Sequence, residues 1–152
     1  LVDNTSGVLN RVAGLFSRRG YNIDSLTVGV TQDPRYSRMT IVVTGDDDII
    51  EQIIKQIEKL VDVNKVEVLE DNNSVCRELI LTKVKTTPEQ RQQVMAVADI
   101  FRAKIVDVGI DSLIIELTGN QNKLDAFLNL LADYEILELV RTGITGLARG
   151  TK

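Results

Sequence analysis

The sequence predicts an α+β protein that consists of two β-α-β-β-α-β units in tandem. One observation is that segments with strand periodicity and segments with helical periodicity follow one another in the same order twice. A second is the polar break Asp71-Asn72-Asn73-Ser74 between the two series. A third is that Thr44-Gly45 and Thr118-Gly119 precede the second helix of each unit. We therefore predict a first domain over residues 1–71 and a second over residues 75–152.

The first unit begins with a short strand at Leu1-Val2 and a helix that we predict over residues 6–19. Apolar residues at three- and four-residue spacing give this helix one buried face: Val8, Leu9, Val12, Leu15 and Phe16. Alternating apolar and polar residues predict two strands, over 25–31 and 39–45. A helix with an isoleucine face follows, and the valine-rich residues 61–69 predict a closing strand.

Three adjacent aspartates, Asp46-Asp47-Asp48, precede the isoleucine helix. Carboxylates in a cluster can bind a metal ion, and they can also cap the positive end of a helix. We favour the capping role because Asp is a common residue at that position. No metal site is predicted.

The second unit repeats the order of the first. Its elements are strands over 79–84, 105–108, 113–117 and 136–140, a helix from Pro88 and a helix around Leu124. Each unit then has the ferredoxin-like arrangement, a four-stranded antiparallel sheet with two helices on one face. In the first unit we expect the other face to carry large apolar residues and to be covered by a further sheet, domain or subunit.

Composition excludes several functions. The chain has no histidine, so it has neither His-dependent nucleophilic catalysis nor a His-ligated metal. The net charge of −4 argues against a nucleic-acid surface, and no apolar run approaches the roughly 20 residues that span a bilayer. The single Cys76 fits a reducing compartment. Because the sequence starts abruptly on Leu1-Val2, we expect residues to precede it. No catalytic residue is predicted.

The stretch Asp3-Asn4-Thr5-Ser6-Gly7 leads directly into the first helix. Short polar side chains here can cap the helix by accepting hydrogen bonds from its first N–H groups. The same N–H groups can instead bind a carboxylate or a phosphate. Sequence chemistry alone leaves both roles open.

Several stretches together resemble the regulatory small subunit of acetohydroxyacid (acetolactate) synthase, whose first domain is an ACT domain. These are Asp3 to Leu9, Gly20-Tyr21-Asn22-Ile23-Asp24-Ser25-Leu26-Thr27-Val28, Arg38-Met39-Thr40-Ile41, Lys59-Leu60-Val61-Asp62-Val63 and the terminal Arg141-Thr142-Gly143-Ile144-Thr145-Gly146-Leu147-Ala148-Arg149-Gly150. The resemblance covers nearly the whole chain, including the second unit and the linker.

The resemblance implies a non-catalytic chain that associates with a large, thiamine-diphosphate-dependent catalytic subunit in branched-chain amino-acid synthesis. Such a chain activates the large subunit and confers feedback inhibition, usually by valine. Thiamine diphosphate, magnesium and FAD are expected on the catalytic partner, and no cofactor is expected on this chain. A homodimer through the ACT sheets is implied, with the effector between the two chains. We expect a cytoplasmic location, or the plastid stroma in a plant, and neither nucleic acid nor a membrane as a partner.

The family's effector motif falls on three residues of this sequence: Asn4, Gly7 and Asn22. Gly7 lets backbone N–H groups come close to a carboxylate, and the two amides can bind a carboxylate or an α-ammonium group. Ser6 and Asp3 flank the site, and Val8 and Ile23 are expected to line an apolar pocket for the isopropyl group. Without the resemblance, Asn22 would be interpreted as a turn residue.

In the second unit we predict a role in activating the catalytic subunit, with candidate contacts in the terminal segment: Arg141, Gly143, Gly146 and Arg149. The alternative is a mobile terminal strand. We expect no second effector site, because the equivalent helix start, Thr86-Thr87-Pro88-Glu89, lacks the Asn and Gly pair and has an acidic residue where an anion would bind.

Another class of function stays open at this point. An amino-acid-sensing ACT protein could regulate transcription or a different biosynthetic enzyme. The sequence shows no helix-turn-helix with a basic face, which disfavours a transcription regulator.

Overall fold

The computed structural model describes residues 1–151, and they form two compact units. One comprises Leu1–Val75 together with the described residues from Ile144 onward, and the other comprises Cys76–Gly143. The predicted second domain, 75–152, therefore differs from this division at its end. Hydrogen bonds explain the difference, because Arg149 N donates to Asn73 O at 2.8 Å within the first unit.

The elements of the first unit follow the predicted order. They are β1 (Val2–Asp3), α1 (Val8–Arg18), β2 (Ile23–Val30), β3 (Tyr36–Val43) and α2 (Asp47–Glu58). The strands form an antiparallel sheet in the order β1-β3-β2. This alternation of strands and helices confirms the predicted α+β fold class.

The predicted closing strand over 61–69 is reduced to a single bridge. Val63 pairs with Val2, and Asp3 N donates to Asp62 O at 2.8 Å. The segment lies beside β1, which has only two residues and so offers little backbone to pair with. Val61 is 93% exposed, so its apolar side chain does not enter the core.

The core of the first unit lies between the sheet and its two helices. Helix α1 contributes Val8, Val12, Leu15 and Phe16, and α2 contributes Ile53. Burying each of these side chains stabilises the fold by about 1.5–3 kcal/mol. Leu9 was expected on the same face of α1, but it is 44% exposed because it lies outside the 8-12-15-16 stripe.

The other face of the first sheet is mostly polar, whereas the sequence led us to expect large apolar residues there. Residues paired across an antiparallel sheet share a face, and Val28 pairs with the core residue Met39. The valines of β2 therefore lie on the helix side, and the opposite face carries Thr27 and Arg38. Thr27 Oγ1 donates to Ile144 O at 3.4 Å, so the chain's own terminal segment contacts this face.

The second unit contains β4 (Ser74–Lys85), α3 (Pro88–Ile100), β5 (Lys104–Val108), β6 (Ser112–Gly119), α4 (Gln121–Leu130) and β7 (Glu135–Arg141). Its antiparallel strand order is β5-β6-β4-β7. Strand β4 starts before the predicted residue 79, and a short strand β8 (Thr145–Ala148) follows β7 in the chain. The core of the second unit contains Phe127, whose ring packs edge-on against that of Phe101 with the ring centroids 5.4 Å apart.

Candidate functional site

Helix α1 begins at Gly7, whose backbone is left-handed with φ 87° and ψ −12°. Glycine adopts this conformation readily, whereas a residue with a Cβ is strained there. Within residues 1–151, no side chain accepts a hydrogen bond from the first turn of α1. The N–H groups of that turn are therefore available to a ligand, and they lie at the positive end of the helix dipole.

The other three α-helices of the described chain are capped by side chains: Asp46 in α2, Thr87 in α3 and Asn120 in α4. Asp46 Oδ1 accepts from Ile49 N at 2.9 Å, which confirms the capping role predicted for the aspartate cluster. No cluster of His, Cys, Asp or Glu that could bind a metal occurs in residues 1–151. Among the four α-helices of the described chain, α1 is thus the one whose start has no side-chain cap.

The polar residues before Gly7 do not cap α1, so that interpretation of the sequence was wrong. Gly7 itself occupies the N-cap position and has no side chain to offer. Asp3 Oδ1 instead accepts a hydrogen bond from Asn64 Nδ2 at 2.9 Å. Thr5 and Ser6 are exposed. Of the two roles that the sequence left open, capping by this stretch is excluded.

Asn4 connects the turn before α1 to the hairpin between β2 and β3. Its Nδ2 donates to Pro34 O at 2.9 Å, and its Oδ1 accepts from Ser37 Oγ at 3.0 Å. Its backbone N donates to Arg35 O at 2.7 Å. These bonds fix the turn that precedes Gly7. The main role of Asn4 in the structure is therefore to hold the backbone at the start of α1 in place.

Arg11 is a residue at this helix start that the sequence interpretation missed. Its Nη1 lies 2.9 Å from the position that a Cβ on Gly7 would occupy. Its Nε donates to Asp62 Oδ2 at 2.5 Å. A local signal existed, because a side chain four residues into a helix points back over the preceding turn. The partner Asp62 gave no such signal, since it lies 51 residues away in the sequence.

Asn22 does not lie near Asn4 and Gly7 in one chain. It precedes β2, whereas Gly7 precedes α1, and the 11 residues of α1 separate them by about 16 Å. The sheet register agrees, because Asp3 is opposite Tyr36 and Ile23 is opposite Val43, at the two ends of β3. Asn22 is exposed, and its Nδ2 donates to Asp24 Oδ1 at 3.3 Å.

The predicted apolar lining is only partly present. Val8 is 3% exposed and belongs to the core, so it cannot line an open pocket. Its position follows from the α1 stripe that packs on the sheet. Ile23 is partly buried at the edge of the same core, directly after Asn22. Of this pair, Ile23 is the side chain that an apolar ligand group can contact.

The terminal segment has ordered contacts of its own. Arg141 donates from Nε and from Nη2 to Glu78 Oε1, both at 2.6 Å, and the Glu78 side chain is 7% exposed. Gly143 turns the chain with φ 85°, and Gly146 is buried. Arg149 is exposed. The guanidinium of Arg141 is therefore already paired, whereas that of Arg149 faces solvent.

The architecture and the open helix start define the class of protein, an ACT-type domain followed by a second ferredoxin-like unit. Family models match both units. One for an AHAS small subunit-like ACT domain matches residues 1–65, and one for the small subunit of acetolactate synthase matches residues 77–150. The chain belongs to the acetolactate synthase small-subunit family, the small regulatory and non-catalytic subunit of an enzyme complex.

Relatives match nearly the whole of this chain and about nine tenths of their own length. The chain is 53% identical to a probable acetolactate synthase small subunit of Archaeoglobus fulgidus, over 100% of this chain and 95% of the relative. It is 48% identical to the acetolactate synthase small subunit of Mycolicibacterium smegmatis, over 100% and 89% respectively. The crystal structure of the small subunit from Thermotoga maritima matches with a TM-score of 0.90 and 46% identity, over 99% of this chain and 94% of that one. No helix in residues 1–151 is long and apolar enough to cross a membrane.

Proposed function

We propose that this chain activates the thiamine-diphosphate-dependent catalytic subunit of acetolactate synthase and makes it sensitive to inhibition by valine or another branched-chain amino acid. The observation that carries the effector site is the uncapped start of α1 at Gly7. A helix start without a side-chain acceptor has N–H donors left for a carboxylate. Membership of the small-subunit family supports the regulatory role.

The effector is held by groups of complementary charge. The α-carboxylate binds the N–H groups at the start of α1, with Ser6 and Asp3 at the flank. The amide oxygen of Asn22 can accept hydrogen bonds from the α-ammonium group. Ile23 contacts the isopropyl group. Because one methylene in an apolar site changes binding by only about 1–3 kcal/mol, we expect modest discrimination among valine, leucine and isoleucine.

The site is completed by two chains. Asn22 lies at the far end of α1 from Gly7, about 16 Å away, which is too far for one valine to contact both within a single chain. A homodimer through the ACT sheets would bring the α1 start of one chain to Asn22 of the other. Inhibition then follows if valine binds one dimer arrangement more tightly than another, since equal affinity would shift nothing.

Activation is assigned to the second unit and the terminal segment. Arg141 has a structural role at the start of the terminal segment, because its guanidinium is paired with the buried Glu78 carboxylate. Arg149 is exposed and can pair with a carboxylate of the catalytic subunit, while Gly143 and Gly146 allow a close approach of the backbone. We expect removal of the residues after Val140 to abolish activation. Arg149→Ala separates contact from folding, since it removes one exposed side chain and leaves the Arg149 backbone bond to Asn73 in place.

Reconstitution tests the whole proposal. The purified chain is mixed with the catalytic subunit and its thiamine diphosphate, magnesium and FAD, and acetolactate formation is measured with increasing valine. We expect the rate to rise with this chain and valine to inhibit only when the chain is present. A rate that does not change on adding the chain would refute the activating role. Activation without valine sensitivity would refute the effector role alone.

A further inference from the structure

The guanidinium group of Arg11 lies beside Gly7 at the start of α1. Its Cζ lies 3.7 Å and its Nη1 2.9 Å from the position of a Cβ on Gly7. Within the described part of the chain, only Nε has an acceptor, the carboxylate of Asp62. Both terminal nitrogens therefore keep their N–H donors, and they lie 2.9 and 3.9 Å from the position of a Cβ on Gly7, the N-cap residue of α1.

Asp62 fixes the direction of Arg11. Its own backbone is held to β1, because Asp62 O accepts from Asp3 N at 2.8 Å. The side chain of Asp62 is 16% exposed and that of Arg11 is 48% exposed. The ion pair is thus held at the Asp62 carboxylate, while about half of the Arg11 side chain remains accessible to solvent.

Two sets of donors converge on the same place. A guanidinium binds a carboxylate through parallel N–H···O bonds that are shorter and stronger than neutral ones. The helix start adds backbone N–H groups and its positive partial charge. An α-ammonium group is repelled from this place, so an amino acid would be oriented with its carboxylate towards Arg11 and its ammonium group away from it.

We propose that Arg11 binds the α-carboxylate of the effector and determines the selectivity of the site for amino acids over amines, and that Asp62 is the positioning residue that holds Arg11 there. The inference rests on the proposed function, because it assigns a further residue to that same site. Gly7 then has a second role beyond its left-handed backbone. A side chain at this position would displace the guanidinium.

The test compares valine with isobutylamine, which has the same isopropyl and amino groups but no carboxylate. Binding to the purified full chain is measured by calorimetry for the wild type, Arg11→Met and Arg11→Lys. Lys55→Met is the matched control, since it removes one positive charge from an exposed i,i+4 pair on α2. Thermal unfolding of each variant checks that it is folded.

We expect Arg11→Met to weaken valine binding by about tenfold to a hundredfold, the effect of losing a charge-assisted hydrogen bond. Isobutylamine binding should change by less than about twofold. The valine affinity of Arg11→Lys should lie between those of the wild type and Arg11→Met, because lysine keeps the charge but loses the paired N–H donors of the guanidinium. Lys55→Met should bind like the wild type. Asp62→Asn should weaken valine binding less than Arg11→Met, and Asp62→Glu should recover part of the loss.

Three results would overturn the assignment. Valine affinity of Arg11→Met equal to that of the wild type would remove Arg11 from the site. Equal losses for valine and isobutylamine would show a structural effect in place of carboxylate recognition. A wild-type chain that binds no valine would refute the proposed effector site itself and this residue with it, which distinguishes that failure from the other two.

Discussion

The starts of α1 and α3 hold equivalent places in the two units and are built differently. Helix α3 has a complete capping box: Gln90 N donates to Thr87 Oγ1 at 3.2 Å, and Thr87 N donates to Gln90 Oε1 at 3.0 Å. Helix α1 has Gly7 in the left-handed region and no side-chain cap. The fold is the same in both units, so it does not require an open helix start.

An arginine follows each N-cap residue by four positions, and the two arginines are used differently. Arg91 donates from Nη2 to the carbonyl oxygens of Gly109 and Ile110, at 2.9 and 2.5 Å. It thereby fixes the turn between β5 and β6. Among residues 1–151, Arg11 has a side-chain hydrogen-bond acceptor only at Nε, and its terminal nitrogens have none. In the second unit the helix-start N–H groups and the arginine guanidinium are bonded to other groups of the same unit. This supports the expectation of a single effector site per chain.

Among the variants that test this difference between the two helix starts, Gly7→Ala should have the largest effect on valine affinity. A Cβ here is strained by the left-handed backbone and would lie 2.9 Å from Arg11 Nη1. We expect valine binding to weaken by roughly a hundredfold, about 3 kcal/mol, as helix start and guanidinium both move. Gly150→Ala is the control, because Gly150 also has a positive φ but nothing within 4 Å. Calorimetry that showed equal valine affinity for both variants would contradict the role of Gly7.

Asn4→Ala should have a smaller effect on valine affinity than Gly7→Ala, and it should also lower the free energy of unfolding. It removes two side-chain hydrogen bonds to the β2–β3 hairpin, to Pro34 and from Ser37. We expect a loss of about 1–2 kcal/mol in the free energy of unfolding and roughly tenfold weaker valine binding, with activation of the catalytic subunit retained. Urea unfolding and valine titration measure the two parts. Unchanged valine binding despite the lost stability would confine Asn4 to a structural role.

Thr87→Ala should affect stability alone. It removes the cap of α3, and we expect the free energy of unfolding to fall by about 1 kcal/mol. Valine affinity should match that of the wild type, because Thr87 lies in the unit in which we expect no effector site. Weaker valine binding in this variant would mean that the two helix starts are not as different as their hydrogen bonds indicate.

What the sequence predicted well depends on contacts between near neighbours. Asp46 caps α2 by accepting from the backbone of a residue three positions later, so its role can be identified from a short stretch of sequence. The core face of α1 and the order of strands follow from local periodicity in the same way. These predictions needed no knowledge of distant residues.

Several of the wrong predictions concern residues whose partners are distant. Asn4 and Asp3 have the chemistry of cap residues, but their side chains bond to Pro34 and Asn64, 30 and 61 positions away. Local sequence cannot show that such a partner competes for the side chain. The closing strand failed for a similar reason, because its length was limited by the two residues of β1.

The central claim is that one effector site contains Gly7 of one chain and Asn22 of the other. Gly7→Ala and Asn22→Ala chains carrying different tags can be mixed, and the heterodimer purified through both tags. One of its two sites then has both substitutions and the other has neither.

We predict that this heterodimer binds one valine with the wild-type affinity, although each parent homodimer binds weakly at both sites. Calorimetry gives the number of sites and their affinity. If the heterodimer binds valine no better than its parents, the site lies within one chain and the account is wrong.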